Sequence, residues 1–313
     1  MSFLFYFCLF NYSVFRKKGA DKFIKARLVR LLIPLLFVMT IFSPSVLYFA
    51  ELHNHSTTLS WFNYVLEQNL SSPNTSHAWF ILVLIVFELL YIMYWRYIRP
   101  HYSISKQFSN SVPTHTRIFL GTMLCFFFTI TSRQFYPLGK HFIGVEFANF
   151  VPYVFMYTLG ILVYRKQWLN TLSEKIAKTW FWLALISAIY FCIVIYVITK
   201  KPPIGKKYIM GLNWESASLS LTQTLICIGF SGFLLNFFRI FFDSTNYLLS
   251  KMRENRYGVY IFHSAVVVGV TIALESVSMN IYYKFFAACV LSVVVSFLMV
   301  ALIRSIPFVK RII

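Results

Sequence analysis

Nine mostly apolar stretches, most of them about as long as one bilayer crossing, divide this chain, and no other feature limits its possible folds so strongly. They run approximately from Ser2 to Phe15, Leu31 to Ala50, Trp79 to Trp95, Ile118 to Thr131, Val145 to Tyr164, Trp180 to Thr199, Leu219 to Phe238, Tyr257 to Leu274 and Tyr282 to Ile303. A bilayer core takes about 20 apolar residues per helix, within a range of roughly 17 to 25. The fold class that follows is all-α, a polytopic membrane helix bundle of about nine transmembrane helices. Two of the stretches are short. The first covers only about 22 Å at helical rise, less than the hydrocarbon thickness, and reads as the tail of a longer helix.

Composition agrees. With 58% hydrophobic and 12% charged residues and a mean hydropathy of +0.67, the chain is too apolar for a water-soluble enzyme of its size. The formal charge of +19 raises the question of nucleic acid, but the Lys and Arg sit between apolar stretches rather than on one basic face, so no nucleic-acid partner is expected. Cys8, Cys125, Cys192, Cys227 and Cys289 all lie inside apolar runs with no CxxC spacing, which argues against both a disulfide framework and a zinc site. The first basic residue, Arg16, follows the opening apolar run, so the N-terminus does not read as a removable signal peptide.

The basic residues instead report topology, because Lys and Arg near helix ends are kept on the cytoplasmic side. One alternating set of loops holds 22 of the 29 Lys and Arg, the opposite set six, and Lys284 sits at a helix edge. With nine spans this puts Met1 outside and the C-terminus in the cytoplasm, and a tenth, N-terminal helix would put both ends inside. Residues 1–313 read as a single integral membrane domain in the plasma or inner membrane. The longest loop, Glu51 to His77, is rich in Asn, Ser, Thr and His and has no Lys or Arg, which fits an extracytoplasmic lid or an acceptor-facing loop.

Few residues could carry chemistry. Arg27 and Arg30 are spaced by three, which puts both guanidiniums on one helical face at the cytoplasmic boundary. They form either a fork that binds donor phosphates or a topogenic contact with anionic lipid. Glu88 is an ionisable residue near the membrane midplane, suited to act as a general base or to pair with a guanidinium from another helix. Trp79 is either a belt anchor or a stacking surface for a sugar. His53-Asn54-His55, beside Glu51, lacks a third and fourth ligand, so no metal is expected. The chain contains no GxSxG elbow, no phosphate-binding Gly-rich loop and no HExxH.

Four local patterns, taken in order, resemble the acyltransferase family 3 membrane proteins. They are the basic loop with Arg27-x-x-Arg30 before Leu32-Ile33-Pro34, Ser76-His77-Ala78-Trp79-Phe80, Tyr157-Thr158-Leu159-Gly160 through Arg165, and Tyr257-Gly258-Val259-Tyr260-Ile261-Phe262-His263. The resemblance implies a membrane enzyme that moves an acetyl, succinyl or similar acyl group from acyl-CoA, a donor substrate rather than a bound cofactor, to a hydroxyl of a surface glycan or small hydroxylated acceptor. It implies ten helices in the full pattern. This chain would then begin at the second, without the Arg and His of the family's first helix. The resemblance also draws His263 into the catalytic role, beside Glu88 as the candidate read from its place in the membrane, with Arg27 and Arg30 holding the donor. Topology adds an expected division, with His263 toward the cytoplasmic half and His77, Trp79 and Arg133 toward the acceptor side. The alternatives are a transporter or flippase, and a catalytically inactive acyltransferase fragment.

Overall fold

The computed structural model describes residues 20–71, 75–94, 97, 112–166, 168–242 and 246–312. It is 83% helical with almost no sheet. Among the described residues, six helices are long and apolar enough to cross a membrane: Leu28–His53, Ser76–Met93, Glu174–Lys200, Trp214–Phe241, Tyr247–Glu275 and Ile281–Ile303. Each carries one of the expected spans. Two more expected spans form helices that are shorter or less apolar, Phe150–Arg165 and His115–Ser132, and Ser2 to Phe15 lies outside the described residues. The count of nine spanning helices is therefore not reached by the described residues, although the membrane-helical class is.

Helix starts follow local chemistry more closely than hydropathy. The helix expected from Tyr257 begins at Tyr247, where the Asn246 side chain accepts a hydrogen bond from the Leu249 amide at 2.8 Å. Asn213 caps Trp214–Phe241 in the same way through the Ser216 amide at 2.7 Å. These Asn caps satisfy amides that the helix itself leaves open, so the helix extends through charged residues that a hydropathy window rejects.

The chain divides into two compact units. One comprises Asp21–Val86, Ile143–Val145 and Thr245–Ile313. Its elements are α1 (Ala20–Phe37), a π-helical turn (Val38–Phe42), α2 (Ser43–His53), α3 (Trp61–Ser71) and the first half of α4 (Trp79–Met93). Pro34 lies inside α1 and has no amide proton, so the Arg30 carbonyl one turn earlier loses its helical partner. The Tyr257 hydroxyl donates to that carbonyl at 2.9 Å.

Helix α3 is an addition to the sequence reading, which took Glu51 to His77 as a polar loop. It folds back along the π turn and α2: the Trp61 indole donates to Ser45 Oγ at 3.0 Å, and Asn69 Nδ2 donates to the Thr40 carbonyl at 2.9 Å. A π turn widens the backbone ladder and leaves carbonyls open to such outside donors.

The tail of the chain completes this unit as a helical hairpin, within a continuous numbering that reaches it through the other unit. The other unit, built around Phe87–Phe142 and Glu146–Ser244, contains α5 (His115–Ser132), the two-residue strands β1 (His141–Phe142) and β2 (ending at Glu146), α6 (Phe150–Arg165), α7 (Trp168–Thr171), α8 (Glu174–Lys200), α9 (Pro202–Ile209) and α10 (Trp214–Phe241). The hairpin of the first unit is α11 (Tyr247–Glu275) and α12 (Ile281–Ile303), with a short α13 (Pro307–Ile312) after it. Helix α11 meets the α1–α2 rod at both ends, through Tyr257 and Arg30 at one and through an ion pair of His53 and Glu275 at 2.5 Å at the other. The two therefore run in the same sense.

Helices α8 and α10 make the closest contact in the other unit. A Cβ on Gly229 would lie 2.3 Å from the Trp180 carbonyl oxygen and 2.6 Å from Ala184 Cβ. Small residues permit this approach, and beside it the Phe181 and Phe233 rings stack at 4.2 Å. Between α5 and α10 the interior is polar: Thr122, Thr129, Ser220 and Thr224 are buried, and each hydroxyl donates to the carbonyl four residues earlier on its own helix.

Candidate functional site

The unit built on α1, α2 and α11 brings the His77 and His263 rings together, with centroids 5.2 Å apart and an interplanar angle of 78°. His77 lies in a 3₁₀ turn (Ser76–Ala78) that opens α4, and Ser76 before it has φ of +46°, an unusual conformation for a residue with a side chain. His263 lies 16 residues into α11, about 24 Å from its start and about 18 Å from its end. The sequence reading set His263 toward the cytoplasmic half and His77 toward the opposite face, whereas the structure brings the two rings together, because α11 begins ten residues earlier than hydropathy suggests and α3 folds back along the π turn.

Three hydrogen bonds fix this pair. His77 Nε2 lies 2.9 Å from the Ile261 carbonyl oxygen, His263 Nδ1 lies 2.8 Å from the Tyr260 carbonyl oxygen, and the Tyr260 hydroxyl donates to the His77 carbonyl at 2.6 Å. A carbonyl oxygen only accepts, so each of the bonded ring nitrogens carries a proton. In the neutral rings the lone pairs are then on His77 Nδ1 and His263 Nε2. His77 Nδ1 is buried and has no hydrogen-bond partner among the described residues.

Aromatic rings wall the pair. Phe42, at the end of the π turn, lies 6.1 Å from the His77 ring and 5.4 Å from Phe262, which also meets Phe37 at 6.2 Å. Phe80 packs on Tyr260 at 5.8 Å. Such walls hold the imidazoles in a weakly polar setting where hydrogen bonds and charges act strongly.

The remaining sequence candidates are placed as follows. Arg30 is exposed in the second half of α1, its guanidinium 5.7 Å from the Tyr257 ring centroid, a cation–π arrangement. Tyr257 is six residues before His263, about 9 Å along α11. Arg27 is one helical turn before Arg30 on α1, and its side chain lies outside the described residues. Trp79 is half-buried at the start of α4, with its ring 6.2 Å from Phe80. Glu88 is 4% exposed, nine residues beyond Trp79 and so about 14 Å along α4, and it belongs to the other unit.

Arg133, also in the other unit, is fully buried just beyond α5. It donates to Ser220 Oγ at 2.6 Å and to Gln223 Oε1, while its Nε has no partner among the described residues. Burial pulls its guanidinium down to about 10, a shift that Glu146 opposes, and it stays cationic at neutral pH. Glu146 in turn accepts from the Gly139 amide at 2.6 Å and from Asn149 Nδ2. Arg133→Met keeps most of the bulk but removes the charge and its donors. We expect a loss of about 1–3 kcal/mol, read as a lower melting temperature in detergent. An unchanged melt would show that the Ser220 and Gln223 bonds contribute nothing.

Sequence reasoning assigned no role to Tyr260, Phe42 or the Ile261 carbonyl. The spacing of Tyr257, Tyr260 and His263 by threes was a legible signal that all share one helix face. Phe42 gave no such signal, since the π turn that presents it has no sequence mark of its own beyond the nearby Pro34 and Pro44.

The chain combines six helices long and apolar enough to cross a membrane, among the described residues, with a half-buried imidazole pair. A family model described as an acyltransferase domain matches residues 3–301. The chain belongs to that family, acyltransferase family 3, and it is a membrane acyltransferase. Comparison with the curated proteins finds no match, and comparison with the solved structures finds none either.

Proposed function

We propose that the protein transfers an acetyl, succinyl or similar acyl group from acyl-CoA to a hydroxyl of a surface glycan or related acceptor. The observation that carries this reading is the bond from His263 Nδ1 to the Tyr260 carbonyl, which leaves Nε2 as the proton acceptor. In the proposed step His263 Nε2 takes the proton of the acceptor hydroxyl as its oxygen attacks the thioester carbonyl carbon. The carbon–sulfur bond then breaks, and the proton passes from the imidazolium to the departing CoA thiolate, giving ester and free thiol. His77 holds the Tyr260–His263 segment in register through its two backbone bonds.

Arg27 and Arg30 are the proposed anchors for the donor's phosphates, on the middle turns of α1, where Tyr257 bonds the Arg30 carbonyl. Trp79 is proposed to serve the acceptor side, and Arg133 as an acceptor-side cation and Glu88 as an auxiliary base are separate proposals within the other unit. The enzyme is proposed to act in the plasma or inner membrane with its C-terminus in the cytoplasm, so the donor is taken from that side. Arg27→Ala combined with Arg30→Ala is expected to abolish transfer of label from [14C]acetyl-CoA or [14C]succinyl-CoA to envelope glycan, with the protein still in the membrane fraction. Unchanged labelling with both donors would overturn the donor assignment.

A further inference from the structure

A cavity of about 310 Å³ lies within the unit of α5, α6, α8 and α10, bounded by the first half of α5, the second half of α6, the start of α8 and the second half of α10. At about 30 Å³ for a water-sized group, it holds about ten chain carbons. Its walls are almost wholly aliphatic and aromatic. The Thr158 hydroxyl in the wall is already bonded to the carbonyls of Val154 and Phe155 on its own helix, at 3.0 and 2.9 Å. Leu124 and Leu162 of the lining are 54% and 40% exposed, so one flank reaches the outer surface of the bundle, which in a membrane is lipid. A nucleotide has no counterpart in such walls, whereas an alkyl chain does.

Two further features specify the rest of the ligand. Trp168 and Trp180 both line the cavity, and the indole N–H of each is buried with no hydrogen-bond partner among the described residues. Trp180 is 6% exposed. A buried donor without an acceptor is costly, and an oxygen brought in by a ligand removes that cost. Cations stand at the same end. Arg117 is in the lining, and Lys166 sits with its ammonium 5.4 Å from the Trp168 ring centroid. The neighbouring carboxylate, Glu174, is held by Lys178 at 2.6 Å.

We infer that this cavity binds an anionic membrane phospholipid, with one acyl chain between α5, α6 and α10, an ester oxygen on the indole donors and the phosphate at Arg117 and Lys166. The site is separate from the His77–His263 cluster and does not depend on the acyl transfer proposed above. Charge complementarity at the mouth selects a net-anionic headgroup over a zwitterionic one.

The test uses the full protein in nanodiscs with phosphatidylglycerol carrying a diazirine on its acyl chain, compared with phosphatidylcholine carrying the same chain. Cross-links are expected on peptides containing Ile118–Leu124 and Ile228–Leu235, at least fivefold stronger for phosphatidylglycerol. A Cβ on Gly232 meets no atom within 4 Å, so Gly232→Leu fills space without a backbone clash and is expected to cut the labelling at least fivefold. Trp180→Phe, which keeps the ring and removes only the N–H, is expected to lower it severalfold, and Arg117→Glu to remove the headgroup preference. Equal labelling of Gly232→Leu and wild type, or equal labelling by the two headgroups, would overturn the inference, since ordinary annular lipid gives that result. Displacement of the photolipid by micromolar palmitoyl-CoA but not by unlabelled phosphatidylglycerol would also overturn it, and would assign the cavity to a donor chain.

Discussion

Replacing His263 with Gln is expected to lower the acyl transfer rate by about 10²–10⁴-fold, the usual contribution of a positioned general base. Gln keeps a group that can donate to the Tyr260 carbonyl, so α11 and its contacts stay in place while the ring lone pair is lost. The loss is expected in kcat, with KM for acyl-CoA changed little, because the donor anchors lie about 9 Å away along α11, at Tyr257 and Arg30. A raised KM with unchanged kcat would make His263 a binding residue and move the base elsewhere. His77→Gln is the companion variant. It keeps a donor for the Ile261 carbonyl, and a smaller loss of kcat than that of His263→Gln fits a positioning role.

Gly229→Ala is expected to be the most damaging single-carbon change in the bundle, at about 3 kcal/mol, the upper end for overpacking. The added carbon would sit 2.3 Å from the Trp180 backbone oxygen, which cannot yield by a rotamer change, so α8 and α10 must separate. Gly232→Ala on the same helix is the control, since its Cβ enters open space and Ala favours helix by about 0.5–1 kcal/mol. Thermal unfolding in detergent is expected to separate the two by many degrees. Equal melting temperatures would show that α8 and α10 do not rest on each other at Gly229.

These expectations indicate which parts of the molecule could be read from sequence. Apolar length alone located the spanning helices, because bilayer thickness imposes a length that water-soluble folds do not. It misplaced their ends, since a hydropathy window stops at the charged residues before Tyr257 while the helix continues back to its Asn246 cap. The site was half legible. Helical spacing puts Tyr257, Tyr260 and His263 on one face, but the approach of His77 depends on α3 folding back through Asn69 and Trp61, a long-range contact that no local periodicity encodes. Pro34 is intermediate: its missing amide announces a free carbonyl at Arg30, but only the fold reveals that Tyr257, more than two hundred residues later, fills the vacancy.

The contact between the two histidine rings was not legible for a similar reason, because Glu51 to His77 has the composition of a polar loop. Here the segment holds α3, whose Trp61 indole and Asn69 side-chain amide find partners on α2 and in the π turn.

The measurement that bears most directly on the account is acyl transfer by the purified protein in proteoliposomes, with [14C]acetyl-CoA or [14C]succinyl-CoA on one side and envelope glycan on the other. The account predicts label in the glycan as a base-labile ester from at least one donor, dependent on the protein and lost in His263→Gln. Labelling that is undiminished in His263→Gln, or no protein-dependent label from either donor, would contradict it.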